Sequence, residues 1–219
     1  MIKLERTSVM NFENAIRGAR NPMNSWDKSD SRIAWEYGEL PRYELGPNDL
    51  ALARKLAKAG SDHRKFLRQI FVSVDITAPL YWWKEFDTYK VSTVANSCST
   101  MHKIHAKEFT LDDFSHEHLH TTFGESYESM DCLVDIVDCL NKYRAQYLET
   151  KDKFWWWQMI QLLPSSYNQL RTVTLNYENV MNMHHARRHH KLDEWHVLCD
   201  WAETLPYFTE ICLDGDKSE

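Results

Sequence analysis

The chain has 219 residues, of which 43% are apolar and 26% are charged, a composition typical of a globular protein with one domain, residues 1–219. Its 26 Lys and Arg against 32 Asp and Glu give a formal net charge of −6, which argues against binding to nucleic acid polymers. No apolar run is long enough to cross a membrane, and the amino terminus lacks the apolar segment of a signal peptide. We therefore expect a cytoplasmic protein without a membrane partner, and five Cys without a CxxC pair predict reduced thiols.

The first predicted elements are a short helix over residues 14–20 and a loop over 21–47, which is rich in Asn, Pro, Ser, Asp and Gly. A helix is predicted over 50–59, because Asn48 can cap its start and Gly60 follows its end.

The middle of the chain alternates apolar and other residues from Ile70 to Ile76, which predicts a strand with one buried face. Pro79 suits the first position of a helix, predicted over 80–90. Residues 91–105 are small and polar and predict a loop that passes close to another group. Residues 106–125 are acidic and contain His, and we expect them to be exposed.

The C-terminal half is predicted to contain more helix than strand. Apolar residues recur at three and four from Ser126 onward, with a break near 151–153 and a stop at Pro164. A strand over 171–175 and helices over 176–190 and 191–205 follow. Helices and strands mix without a βαβ rhythm, so the predicted fold class is α+β.

Two blocks of the sequence carry a set of features in a fixed order. In the first, from His63 to Met101, a His precedes the predicted strand, the Ala78-Pro79 step and a helix that leads into a Ser- and Asn-rich segment. The second block, residues 160–196, contains Leu163-Pro164, Asn176, Asn182 and Arg187. The order and spacing in both blocks, about a third of the chain, resemble the flavin-dependent thymidylate synthases.

This resemblance implies a specific fold and chemistry. The fold is an antiparallel sheet flanked by helices, and the assembly is a homotetramer, in which surplus Trp and Tyr would be buried. The implied cofactor is FAD, and the implied reaction transfers a one-carbon unit to a pyrimidine nucleotide, dUMP to dTMP, with NADPH and methylenetetrahydrofolate as co-substrates.

The resemblance also implies roles for individual residues. The matching flavin-site positions are His63, Lys90, Asn176 and Asn182, and the matching nucleotide-site positions are Glu85 and Arg187. Amide and imidazole groups can hydrogen-bond a flavin or ribose, and a guanidinium binds anionic or carbonyl oxygens as a fork. The two Asn could equally cap helices or form turns, and His63 and Arg187 could be ordinary surface residues.

Several key side chains of the family are replaced. The Arg-His-Arg motif falls on Thr88, Tyr89 and Lys90, and two nucleotide-binding arginines fall on Thr100 and Ile160. A hydrogen bond to a charged group contributes about 1.5–3 kcal/mol, so losing two or three weakens binding by about 10³-fold or more. We therefore predict weak or absent thymidylate synthesis. The cations that could compensate are Lys84, Lys90, His102, Lys103 and His105.

Cys98 stands where the family has a Ser near the reactive carbon of the nucleotide, and we name it as the candidate catalytic residue. A thiolate is a good nucleophile toward a pyrimidine ring, but a near-isosteric Ser-to-Cys change can also be drift. An alternative function is a catalytically inactive FAD- or nucleotide-binding homologue with a structural or regulatory role. A third is a related flavin enzyme that acts on a different base or nucleotide.

Histidines form two further clusters, at 116–120 and 184–190. His116, His118 and His120 would share one face of a strand, and His185 and His189 one face of a helix, as in some metal sites. Their surroundings favour solvated or anion-binding surfaces, so we predict no metal.

Overall fold

The computed structural model describes residues 2–35, 38, 41–121 and 128–213. The strands are β1 (Lys3–Met10), β2 (Arg32–Ala34), β3 (Arg42–Glu44), β4 (Phe71–Pro79), β5 (Val94–Ser97) and β6 (Asn168–Asn176). The helices are α1 (Phe12–Arg20), α2 (Pro47–Lys58), α3 (Leu80–Phe86), α4 (Thr100–Lys103), α5 (Ser129–Thr150), α6 (Lys153–Leu162), α7 (Tyr177–Arg187) and α8 (Asp193–Glu203). Short 3₁₀ turns lie between several of these elements, and a π-helical turn, Thr209–Leu213, follows α8.

Four strands form one sheet in the order β1-β4-β6-β5, and β2 and β3 form an antiparallel hairpin. Strands β4 and β6 run antiparallel. Thr172 Oγ1 donates to Asp75 Oδ1 at 2.6 Å, and Leu80 N, just after β4, donates to Tyr167 O at 3.0 Å. The residue numbers of the paired positions therefore increase along β4 while they decrease along β6, as in an antiparallel pair. The predicted α+β class, with an antiparallel sheet flanked by helices, is confirmed.

Strand β4 has one buried face, as its alternating sequence predicts. The buried side chains are Val72, Val74, Ile76 and Ala78, and between them lie less buried ones, Ser73, Asp75 and Thr77. One face of the sheet therefore packs into the interior, and the other carries polar groups.

The chain divides into two compact units. The first unit comprises Met1–Lys3, Asp75–Tyr89 and Ala95–Thr172. In it, α5 packs against α6 over a core of Ile104, Phe109, Phe114, Leu133, Val137, Leu140 and Met159.

The break between α5 and α6 lies where the sequence predicts it. Lys151 adopts a left-handed conformation with φ 57°, and its N–H donates to Tyr147 O at 2.9 Å, which ends α5. Asp152 then caps α6 by accepting from Phe154 N at 2.9 Å. Helix α6 ends before Pro164, as expected.

The second unit comprises Leu4–Val74, Lys90–Val94 and Val173–Glu219. Its interior contains a cluster of aromatic rings. The Tyr177 ring lies 5.4 Å from Phe12 and 5.5 Å from Phe208, both edge to face, and its hydroxyl donates to Pro206 O at 2.7 Å. Burial raises the pKa of Tyr177 well above its usual range, so the hydroxyl remains a donor.

Some predicted boundaries are wrong for local reasons. Helix α2 begins at Pro47 with Gly46 as its N-cap, two residues before the predicted cap Asn48. Helix α3 ends at Phe86, and Thr88 Oγ1 then donates to Glu85 O at 2.7 Å. The start of α2 and the end of α3 thus each lie within a few residues of the predicted position.

Other predictions are wrong because distant partners decide the structure. The expected loop 21–47 contains the β2–β3 hairpin, and the expected loop 91–105 contains β5 and α4. Residues 106–125 were expected to be exposed, but Phe109, Asp113, Phe114 and Ser115 are buried. The predicted helix start at Ser126 lies outside the described residues.

None of the described helices has both the length and the apolar character needed to span a membrane.

Candidate functional site

Cys98 directly follows β5 and is exposed, and its backbone is fixed by β6 on both sides. Its N–H donates to Leu170 O at 2.9 Å, and its carbonyl accepts from Gln169 Nε2 at 2.7 Å. Glu85, the other predicted site residue of the first unit, is half-buried in the last turn of α3. The thiol of Cys98 is therefore available on a rigid backbone.

Cys98 lines a cavity of about 320 Å³, which we call the Cys98 cavity. It lies entirely within the first unit. Its lining residues are Thr77, Cys98, Ser99, Thr100, Lys103, Lys107, Asp112, Asp113, Tyr167, Asn168, Gln169 and Leu170. The cavity thus offers a thiol, hydroxyls, side-chain amides and two ammonium groups.

The charges in the Cys98 cavity are only partly paired. Lys107 forms a salt bridge with Asp113, whereas Lys103 has no carboxylate partner in the part of the chain that the structure describes. Burial, together with the charges of Asp113 and Cys98, raises the pKa of Tyr167. Its phenol therefore stays protonated and can donate, while Lys103 is the ammonium group available to an anion.

The side-chain contacts that hold the Cys98 backbone in place were not predicted from the sequence. Arg171 stacks its guanidinium 4.2 Å from the centre of the Trp83 ring and donates to Asp87 Oδ1 at 2.8 Å. Its Nε also donates to Gln169 Oε1 at 3.0 Å, and Gln169 in turn holds Cys98. A signal was available, because Gln169 and Arg171 are polar residues in register with the buried Val173 and Leu175 of β6.

In the second unit, Asn176 acts as the N-cap of α7. It is 2% exposed, and its Oδ1 accepts from Asn179 N at 3.0 Å. The capping role that the sequence left open is thus observed for Asn176. Asn182 lies exposed on α7, three residues after Asn179 and so on the same side of the helix.

The elements that carry His63, Lys90 and Asn176 meet at the first turn of α7. His63 is exposed and precedes the 3₁₀ turn Arg64–Gln69, whose Arg64 and Arg68 both bind Glu178. These partners lower the pKa of Glu178. Asn179 Nδ2 donates to the carbonyl next to Lys90, that of Val91, at 2.9 Å.

His63 also lines a larger cavity of about 820 Å³ in the second unit, which we call the His63 cavity. Its walls are mostly apolar, and they are formed by Gly18, Ala19, Asn21, Pro22, Met23, Leu52, Leu56, Asp62, His63, Lys65, Phe66 and Gln69. A wide apolar cavity with a few polar groups is the usual form of a small-molecule site.

Arg187 lies in the last turn of α7 and is half-buried. Its guanidinium lies 4.9 Å from the centre of the Trp195 ring, within cation–π range. The following Arg188 pairs with Asp200 at 2.5 Å and lies 3.7 Å from Glu203. Stacking on Trp195 therefore gives Arg187 a defined position near the end of the helix.

The histidine clusters do not form metal sites in the described residues. Residues 116–120 are not a strand, and His116 Nδ1 lies 2.9 Å from Phe114 O. His185 and His189 are exposed on α7 and just after it. Within the described ranges, no group of three His, Cys, Asp or Glu side chains is arranged to hold a metal ion.

The fold belongs to a recognisable class, that of thymidylate synthase X. It is similar to thymidylate synthase X from Helicobacter pylori, solved with FAD and dUMP, with a TM-score of 0.70 and 15% identity over 98% of each chain. A second structure of the Helicobacter pylori enzyme, complexed with FAD and dUMP, gives a TM-score of 0.67 at 15% identity, covering 97% of this chain and 98% of that one.

A third solved structure with this fold is PolB from Streptomyces cacaoi, a UMP/dUMP methylase bound with 5-Br dUMP. Its TM-score is 0.60 at 15% identity, covering 98% of this chain and 95% of that one. No protein-family model matches the sequence, and no characterised protein matches it by sequence similarity. The common fold is therefore established by structure alone.

Proposed function

We propose that this chain is a diverged member of the flavin-dependent thymidylate synthases that binds FAD and a pyrimidine nucleotide. The observation that carries the proposal is the likeness of fold over 98% of both chains to a thymidylate synthase solved with FAD and dUMP. The motif spacing in the two sequence blocks supports it independently, since that spacing was identified from the sequence alone.

The nucleotide is proposed to contact the Cys98 cavity. Its volume of about 320 Å³ is in the range of small-molecule sites. Lys103 would bind the phosphate, and the hydroxyl of Thr100 would donate to it in place of the family arginine. Ser99 Oγ accepts from His102 N at 3.0 Å, and its hydroxyl proton would remain able to donate to the same phosphate. Glu85 and Arg187 remain the further proposed nucleotide residues.

FAD is proposed to bind beside His63, Lys90, Asn176 and Asn182. When bound, it would supply the redox chemistry of one-carbon transfer. The apolar His63 cavity fits a flat ring system, and the buried Oδ1 of Asn179 has no hydrogen-bond partner among the described residues. A buried acceptor without a partner is costly, so a ligand N–H at this position would be stabilising.

Thymidylate synthesis is proposed to be weak or absent. The family places arginines where this chain has Thr100 and Ile160, and Ile160 packs partly buried against the apolar core around α5. That position is therefore committed to packing here. Lys90 offers a point charge where the family has a planar fork, so even this cation is not equivalent.

Two alternatives follow from the same site. A protein that binds flavin or nucleotide without turnover is favoured by the apolar contacts of Ile160. Action on a different nucleotide is favoured by the fold likeness to a UMP/dUMP methylase. If the chain is active, on dUMP or on a different nucleotide, Cys98 is the candidate nucleophile, and a Cys98→Ser variant would lose several decades of turnover.

A homotetramer in the cytoplasm is also proposed. Phe154 is 55% exposed and Trp157 43% exposed on α6, and a second copy of the chain would cover these rings. Light scattering at micromolar concentration tests the assembly, and a stable monomer would contradict it.

The function is tested with three measurements on the full chain. A visible flavin absorption band in the purified protein, or after reconstitution with FAD, supports the cofactor. Titration calorimetry with dUMP and UMP tests the nucleotide, and tritium release from dUMP labelled at its reactive carbon, with FAD, NADPH and methylenetetrahydrofolate, tests turnover. A colourless protein that binds neither FAD nor nucleotide would refute the proposal, and turnover at an ordinary family rate would refute the predicted loss of activity.

A further inference from the structure

A second, separate cavity of the first unit lies between α4, the end of α5 and the start of α6. It measures about 380 Å³ and is lined by Met101, His102, His105, Tyr147, Lys151, Lys153 and Trp156. We call it the Lys–Trp pocket. It has no lining residue in common with the Cys98 cavity, although His102 and His105 are among the cations considered above as substitutes for the lost nucleotide contacts.

The two lysines of the Lys–Trp pocket are held by aromatic rings rather than by carboxylates. Lys151 Nζ lies 5.8 Å from the centre of the Tyr147 ring, and Lys153 Nζ lies 6.0 Å from the Trp156 ring. Neither has a carboxylate partner in the described ranges. The described residues therefore leave their positive charge without a carboxylate in salt-bridge range.

Of the described residues, none that lines the Lys–Trp pocket is acidic. Asp152 lies between the two lysines in sequence, but its carboxylate caps α6 by accepting from Phe154 N at 2.9 Å. Another cation is close, since Arg144 Nε donates to His105 O at 3.1 Å. The local field therefore favours an anion.

The aromatic walls have fixed positions. Trp156 Nε1 donates to Met101 O at 3.1 Å, which orients the indole, and the His105 ring lies 4.8 Å from Tyr147. Trp156 and Tyr147 are only half-buried, so each indole or phenol ring keeps accessible surface. His105 Nδ1 is buried and has no hydrogen-bond partner among the described residues, a polar group that the protein leaves unsatisfied.

Lys151 has an unusual backbone conformation for a residue other than Gly. With φ 57° it occupies the left-handed position after a helix, where Gly is the favoured residue. This chain instead has Lys at this position, and a residue with a side chain adopts the left-handed conformation at an energetic cost. The Lys151 side chain places its ammonium group over the Tyr147 ring, beside the pocket.

We propose that the Lys–Trp pocket binds a small aromatic compound that carries an oxyanion. The ring would stack on Trp156 or Tyr147, and Lys151 and Lys153 would bind the oxyanion. The volume is within the range of small-molecule sites. Both a nucleoside monophosphate and an aromatic carboxylate have this chemistry. The inference does not depend on flavin binding or on the Cys98 cavity.

The test is titration calorimetry of the full chain at low salt with UMP, AMP, naphthalene-2-carboxylate and inorganic phosphate. The variant Lys151→Gly with Lys153→Gln removes both ammonium groups, and the Gly suits the left-handed turn, so the fold is preserved. We expect at least one aromatic oxyanion to bind, and to bind about tenfold more weakly or worse to this variant. Trp156→Leu should weaken the aromatic compounds but leave inorganic phosphate unchanged.

The matched control is Lys142→Gln, an exposed lysine on α5 that does not line the pocket, and it should change nothing. If only the nucleotides bind, the ligand is a nucleoside monophosphate, and if only naphthalene-2-carboxylate binds, it is an aromatic carboxylate. The proposal is overturned if no probe binds the wild type, or if the affinities are the same in the double variant. It is also overturned if the loss follows Lys103→Gln in the Cys98 cavity instead, a result that would leave the proposed function standing.

Discussion

The side-chain amide of Gln169 joins two parts of the first unit: its Nε2 donates to the carbonyl of Cys98 at 2.7 Å, while its Oε1 accepts from Arg171 Nε at 3.0 Å. Only one orientation of the amide satisfies both bonds. Arg171 is itself held by the Trp83 ring and by Asp87. The position of the Cys98 backbone therefore depends on a chain of contacts that ends at α3.

Replacing Gln169 with Leu should loosen the Cys98 segment. The change leaves Arg171 Nε and the Cys98 carbonyl without their partner, at a cost of about 1–3 kcal/mol in the free energy of unfolding. Urea denaturation measures the loss, and hydrogen exchange should quicken at Cys98 and its neighbours. The control Gln161→Leu, at an exposed position on α6, should do neither. Equal stability of the two variants would contradict the bridging role.

The five thiols should react at different rates. Cys98 and Cys132 are exposed and Cys139 is half-buried, whereas burial raises the pKa of Cys199 to about 11 and that of Cys212 to about 12. Because the thiolate is the reacting form, titration of the native protein with a disulfide reagent near neutral pH should give two fast thiols. Cys98→Ser and Cys132→Ser should each remove one. Protection by dUMP of Cys98 but not of Cys132 would support the proposed nucleotide site, and rapid reaction of Cys199 would contradict the burial argument.

Substitution of Asn176 separates its capping role from a role in binding FAD. Asn176→Ala removes the cap of α7 and should cost about 0.5–2 kcal/mol of stability, while Asn176→Ser keeps a capping oxygen and should cost less. Both remove the amide N–H groups. If the Ser variant keeps its thermal stability but loses flavin absorbance, the amide contacts the cofactor. If both variants bind flavin as well as the wild type does, Asn176 only caps α7 and does not contact the cofactor.

The stability of the second unit should depend on pH through Asp49, which is fully buried and bonded to Arg20 at 2.5 Å and to Ser31 Oγ at 2.6 Å. Burial alone would raise its pKa, but the bonds from Ser29, Ser31 and Arg20 outweigh burial and lower it. The stabilisation is thus present above the unfolded-state pKa of about 3.9 and is lost as the pH falls through the folded-state pKa.

Asp49→Asn should cost about 3–5 kcal/mol, because it leaves the buried Arg20 without its counter-ion. The variant should also lose part of the acid sensitivity of the wild type. Thermal unfolding as a function of pH measures both effects. Glu44→Gln, in the exposed pair with Arg32, serves as the control and should change stability little. A similar acid transition in wild type and Asp49→Asn would show that other groups dominate.

Arg187→Ala should weaken nucleotide binding without unfolding the protein. The loss of the contact with Trp195 costs about 0.5–1 kcal/mol of stability, which a folded domain tolerates. The loss of a charged hydrogen bond to the nucleotide should weaken binding by about tenfold to a hundredfold. Calorimetry with dUMP and UMP measures it, with Arg188→Ala as the neighbouring control. Unchanged affinity in Arg187→Ala would remove this residue from the nucleotide site.

The sequence by itself determined the elements whose signals are local. The alternation from Ile70 to Ile76 gave β4 with its buried face, and the break near 151–153 appeared as predicted between α5 and α6. The spacing of residues in the two motif blocks also predicted the fold, because this spacing depends on the lengths and the order of the helices and strands. Periodicity is a property of neighbouring residues, so it can be read without knowing their distant partners.

Tertiary structure alone decided the features that depend on distant partners. Strands β1 and β5 lie at the sheet edges, and β5 exists because the backbone near Cys98 pairs with β6, more than seventy residues later in the chain. The Gln169–Cys98 contact, the buried side of Ile160 and the Lys–Trp pocket arise in the same way. Such contacts leave little local pattern, because edge strands and cavity walls are selected by what the fold places beside them.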